Sequence, residues 1–152
     1  MSDIHRMLLS SEVRDLSVEV SQLFDELDRA FPGRRRLTPG TCSPLLDVLE
    51  TDSTVEIVMD LPGVEPDCVR VLIKNGIVLV VGEKVPSDQA GRSDATFHLV
   101  ERGFGRFARA VRMSEAIDAR QAQARLRAGE LRFTVPKIVE RRGEDIAVPV
   151  VG

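Results

Sequence analysis

Between Ser11 and Phe31 the apolar residues are Val13, Leu16, Val20, Leu23, Phe24, Leu27 and Phe31, separated mainly by three and four positions. That spacing draws a single stripe down a helix, so the pattern predicts an amphipathic helix over 11–31. Ser10 or Ser11 stands where a cap is needed, Glu12 falls in the first turn, and Pro32-Gly33 ends the run. The basic stretch "GRRRLTPGT" follows, punctuated by Gly and Pro as a linker is. A helix with one apolar face must lay that face on something: its own domain, another copy of the chain, or a partner.

From residue 44 the period shortens from helical to alternating. "LLDVLET", "TVEIVMDLP", "CVRVLIKNG" and "IVLVVGEK" read as strands rich in Val, Ile and Leu, and "TFHLVE", "GRFARAVRM", "AQARLRA" and "ELRFTVP" extend the series. Val55, Ile57 and Met59 fall on the face opposite Glu56, Val58 and Asp60; Ala122, Ala124 and Leu126 alternate with Gln123, Arg125 and Arg127. Pro62-Gly63 suits a type II turn and Asn75-Gly76 a two-residue hairpin. Many short strands with turn signals between them predict an all-β antiparallel sandwich over 44–137. The polar loop "KVPSDQAGRSDA", 84–95, interrupts the regular spacing, as functional loops do. Residues 138–152 form a charged spacer and then an apolar cluster, "IAVPVV", just where chain ends ordinarily fray in water. Something must cover those side chains, either an edge of the chain's own domain or another chain.

Composition narrows the function. A net charge of −3 and the absence of Trp and Tyr leave neither the cationic surface nor the stacking platform that nucleic-acid binding uses. Cys42 and Cys68 share no metal-ligand or redox spacing, so both read as free thiols in a reducing compartment. The N-terminus lacks the apolar core of a secretory signal, and no run approaches a membrane span of about 20 apolar residues. The expectation is a cytoplasmic protein that neither spans a membrane nor binds nucleic acid. "GFGRFA", 103–108, matches a dinucleotide-turn string but continues into strand pattern with no βαβ context. His5 and His98 belong to no hydrolytic motif, and the acids are scattered as on a solvated surface. No catalytic, metal or cofactor site is expected.

"LLDVLET", "VEIVMDLPGV", "VLVVGEK", "VERGFGRFARAVRM", "AGELRFTVPK" and "IAV" stand in this order along the chain. Together they resemble the alpha-crystallin domain of the small heat shock proteins, of the bacterial and plant type with a long dimerisation loop. The resemblance implies an immunoglobulin-like sandwich flanked by an N-terminal arm, 1–43, and a C-terminal extension, 138–152. It also implies an ATP-independent chaperone, a holdase, which keeps partly unfolded clients from aggregating and hands them to ATP-dependent chaperones. Such proteins are homo-oligomers built from dimers. By the same resemblance, Phe97, His98 and Val100 in the loop strand, with Arg109, belong to the dimer interface. Ile146 and Val148, or Val148 and Val150 in a second register, are the tail motif that enters a groove on another dimer. That groove is expected between Val69, Val71 and Ile73 on one strand and Ala122, Ala124 and Leu126 on another. The stripe Val13, Leu16, Val20, Leu23, Phe24, Leu27 and Phe31 is the expected client surface. The chain departs from the family pattern at Glu130, where Gly-Val-Leu is usual, which predicts a carboxylate near the groove. It departs also at Ser114, where Pro is common, and at Ala110, where a second basic residue is common. A rival reading is a monomeric co-chaperone adaptor of the p23 type on the same sandwich.

Overall fold

The computed structural model describes residues 16–31, 42–86, 92–113, 116–138 and 148–150. Among the described residues one α-helix, α1 (Ser17–Ala30), precedes seven strands: β1 (Leu46–Glu50), β2 (Thr54–Asp60), β3 (Val69–Lys74), β4 (Ile77–Lys84), β5 (Gly105–Arg112), β6 (Gln123–Arg127) and β7 (Glu130–Pro136). They form two antiparallel sheets, ordered β1-β2-β7-β6 and β3-β4-β5. Their inner faces meet in an aliphatic core. Val55, Ile57 and Met59 of β2, Val78 and Val80 of β4, Phe107 and Val111 of β5, and Leu131, Phe133 and Val135 of β7 are all buried in it. Alternation located strands such as β2 and β7 because each has one face that must leave water and one that need not.

The turns follow from their residues. Asn75 (φ 50°) and Gly76 (φ 72°) both lie in the left-handed region, the geometry of a two-residue hairpin, and they join β3 to β4. Gly82 is required for a different reason. It lies opposite Phe107 on β5, and a Cβ there would come within 2.4 Å of the Phe107 ring and 2.8 Å of the Cys68 carbonyl oxygen. The absence of a side chain at position 82 lets a phenylalanine ring fill that layer of the core.

β4 differs from the other strands in being buried from Ile77 through Glu83. Val78 and Val80 face the sandwich core, whereas Ile77, Leu79 and Val81 face outward and are covered by α1. Leu16 packs on Ile77 and the half-buried Ala110. Leu23 packs on Leu79 and Val81, with Val20, Phe24 and Leu72 around them. The stripe therefore lies on the chain's own domain, where the sequence had left a second copy or a partner open as alternatives. A helix of 14 residues is marginal in water alone, so its helicity depends on this packing. Ser10, Ser11 and Val13 lie outside the described residues.

The segment 96–101, expected to be a strand, is not one in the single chain; Phe97, Leu99 and Val100 are 61–72% exposed. A strand exists through pairing with a neighbour, and no edge of this chain pairs with the segment.

Candidate interaction surfaces

The edge strands β3 and β6 come from different sheets and flank a groove of about 390 Å³. Val71 and Ile73 line it on one side and Ala122 and Ala124 on the other, with Phe133 among the lining residues. Val69 and Leu126 are partly buried against the same core cluster. Six residues expected to form a groove thus belong to one apolar neighbourhood at the open mouth of the sandwich. The 3₁₀ turn Ala119–Gln121 leads into β6, and the Asp118 side chain accepts from the Arg120 backbone N–H.

Glu130, opposite Arg127 of β6, is not among the residues that line this groove. It occupies the outward register of β7, between the buried Leu131 and the turn, where its carboxylate accepts from Arg132 at 2.8 Å. Arg132 also pairs with Glu56 across the sheet. Alternation decides the matter: the residue before Leu131 must face away from the core.

Val148 and Val150 are 79% and 96% exposed and belong to no strand, so the described part of the tail adds none to its own sandwich. Ile146 lies outside the described residues. In the loop, Phe97, His98 and Val100 are exposed. Arg109 is half-buried; it shares a face of β5 with Phe107 and Val111, and its guanidinium donates to the Pro44 carbonyl just before β1.

Of the stripe residues, Leu16, Leu23 and Leu27 are buried and Val20, Phe24 and Phe31 half-buried. Two ion pairs tie the helix to the sheet: Glu19 with Lys74 of β3, and Asp28 with Arg106 of β5. The Arg106 guanidinium also stands 4.8 Å from the Phe24 ring centre, a cation–π contact. The hydrogen bond from Lys74 holds the Glu19 carboxyl below its ordinary pKa. These four charged residues, and the outer row Ile77, Leu79 and Val81, were missed in the sequence. The unbroken apolar run "IVLVV" was the available signal, since only a strand covered on both faces tolerates it.

Among the described residues no three His, Cys, Asp or Glu side chains are grouped to hold a metal ion, and no helix is long and apolar enough to cross a membrane. Neither Cys42 nor Cys68 forms a disulfide, and burial pushes the Cys42 thiol up in pKa.

Residues 47–150 match the model of the Hsp20/alpha crystallin family. The chain is 30% identical to the 16.9 kDa class I heat shock protein 1 of Triticum aestivum over 152 residues, covering 100% of both chains. It is 32% identical to Heat shock protein 16 of Schizosaccharomyces pombe over 119 residues, covering 78% of this chain and 83% of the other. Among solved structures, a small heat-shock protein from Xylella fastidiosa superposes with a TM-score of 0.61 at 26% identity. The match covers 72% of this chain and 98% of that one, and that protein's structure is described as having a distinct high order.

Proposed function

Because this chain belongs to the Hsp20/alpha crystallin family of small heat shock proteins, we propose that it is an ATP-independent holdase assembled from dimers. It performs no covalent chemistry and takes no cofactor. It captures partly unfolded proteins in the cytoplasm and releases them to ATP-driven chaperones.

The observation that carries the reading is that a single subunit leaves its assembly surfaces uncovered. Phe97, Leu99 and Val100 stand exposed in a loop, Val148 and Val150 in a tail, and an apolar groove lies open between β3 and β6. Monomeric proteins keep contiguous apolar surface small, so several such features together suit a subunit of a larger body. In this reading the segment 96–101 becomes a strand on the partner's sheet, completing a dimer to which Arg109 contributes. Ile146 and Val148, or Val148 and Val150, enter the groove of a neighbouring dimer. Each apolar side chain so buried contributes about 1.5–3 kcal/mol before ordering costs. One tail is weak; many around an assembly are avid, while each can still detach. The arm 1–43 supplies the client surface, the stripe from Val13 to Phe31, freed when α1 leaves the sandwich. The extension 138–152 supplies the tail.

Light scattering of the purified chain, alongside the aggregation of a heated model client without nucleotide, tests the proposal. Assemblies of many subunits and suppressed aggregation are expected. A monomer of 16.8 kDa, or protection that needs ATP, would overturn it.

A further inference from the structure

The sheet face beneath α1 is shaped and charged for a particular kind of segment. Its floor is Ile77, Leu79 and Val81, all under 9% exposed with the helix in place, and its half-buried rim is Leu72 and Ala110. A cation stands toward each end: Lys74 on β3, where Glu19 meets it early in the helix, and Arg106 on β5, where Asp28 meets it late. The cover meets this floor through Leu16 and Leu23, with Leu27 buried further along the same stripe and the two carboxylates nine positions apart. Nothing in the contact depends on the helix belonging to the same chain. Apolar side chains at helical spacing, a carboxylate toward either end and an aromatic ring beside Arg106 are what is recognised.

We infer that the outer face of the β3-β4-β5 sheet is a docking surface for acid-flanked amphipathic helices of client proteins, and that α1 occupies it in the resting subunit as a built-in competitor. The client part of this rests on the holdase reading; the docking part does not. A partly unfolded protein exposes segments of this chemistry early, because amphipathic helices lose the core that covered them. Lifting α1 would then uncover two client surfaces at once, the stripe and the sheet face, of which only the sheet face selects by charge.

The test uses the full-length chain and a fluorescein-labelled peptide with the sequence of residues 16–31. Glu19→Lys with Asp28→Arg sets like charges against Lys74 and Arg106 and drives the chain's own helix off the sheet. The peptide, which keeps both carboxylates, should bind this variant about tenfold or more tighter than the wild type, whose surface is mostly occupied by its own helix. Adding Lys74→Glu and Arg106→Asp restores the internal pairs and should abolish the gain. A peptide carrying Leu23→Ser and Leu27→Ser should not bind, a control that leaves the protein untouched. Leu72→Gln with Ala110→Gln, at the half-buried rim, should weaken binding of the intact peptide. Saturating peptide should also displace a denatured model client from the helix-released variant. Peptide binding that is equal in wild type and variant, or indifferent to its leucines, overturns the docking surface. Client binding to the helix-released variant that saturating peptide does not reduce at all overturns its client role, since only the share held by the stripe should remain. A chain that protects no client yet binds the peptide as described sinks the holdase reading and leaves the docking surface standing.

Discussion

Gly82 and Phe107 form one unit: the ring occupies the space that a side chain at position 82 would need. Gly82→Ala must therefore push the ring or the Cys68 carbonyl aside. Overpacking of this kind costs about 1–3 kcal/mol, and urea unfolding should show a lower midpoint with an unchanged slope. An unchanged midpoint would mean that the ring turns aside freely. The pair was not legible beforehand. Sequence shows a Gly in a strand pattern and a Phe 25 positions later, but only the β4–β5 register sets them opposite one another. Asn75-Gly76 was legible, because a turn with two positive φ values is written in two adjacent residues.

Among the elements, the sandwich strands could be read because alternation records a core on one side. What lies on α1 could not, since a stripe shows that a helix face is buried without showing what buries it. The segment 96–101 has strand-like residues but pairs with no strand among the described residues, so alternation alone could not decide its state. The docking of α1 carries a pH dependence of definite sign. Glu19 has a lowered pKa, chiefly through its hydrogen bond from Lys74, so the folded state holds the carboxylate more readily than the unfolded chain does. The resulting stabilisation is present above the ordinary Glu value, about 4.3, and fades as pH falls through the lowered value. Hydrogen exchange of the α1 amides should accelerate over that window before the strands respond. Glu19→Gln should remove the step; an identical profile in that variant would place its origin elsewhere.

At the scale of the whole molecule, the proposed assembly brings the tail of one subunit to the groove of another. Ile146→Ala with Val148→Ala removes the proposed anchors without touching the sandwich core, so sedimentation should show the large assemblies giving way to folded dimers. An unaltered distribution would mean that other contacts hold the assembly. Alternation puts Val69, Val71 and Ile73 on one face of β3 and Ala122, Ala124 and Leu126 on one face of β6, but that the two faces border one groove came only from the family resemblance. That Glu130 stays out of the groove was legible by the same rule, applied one strand further. The volume between the strands was not, because it depends on how far apart the two sheets stand at that edge.

β6 pairs with β7 along one side and has no strand on the other, yet its outward row is Gln123, Arg125 and Arg127, all exposed. Arg125 already stands opposite Arg132 within the sheet, and Arg132 draws on Glu56 and Glu130 for its counter-charges. If two β6 edges met antiparallel with Arg125 opposite Arg127 or opposite its own copy, at least one pair of arginines would face each other, a repulsive pairing. An edge so charged resists templating a further copy of itself, and so resists growth into a fibre. Replacing Arg125 and Arg127 with Val should leave the fold intact and, on prolonged warming, produce thioflavin-positive filaments where the wild type stays in solution.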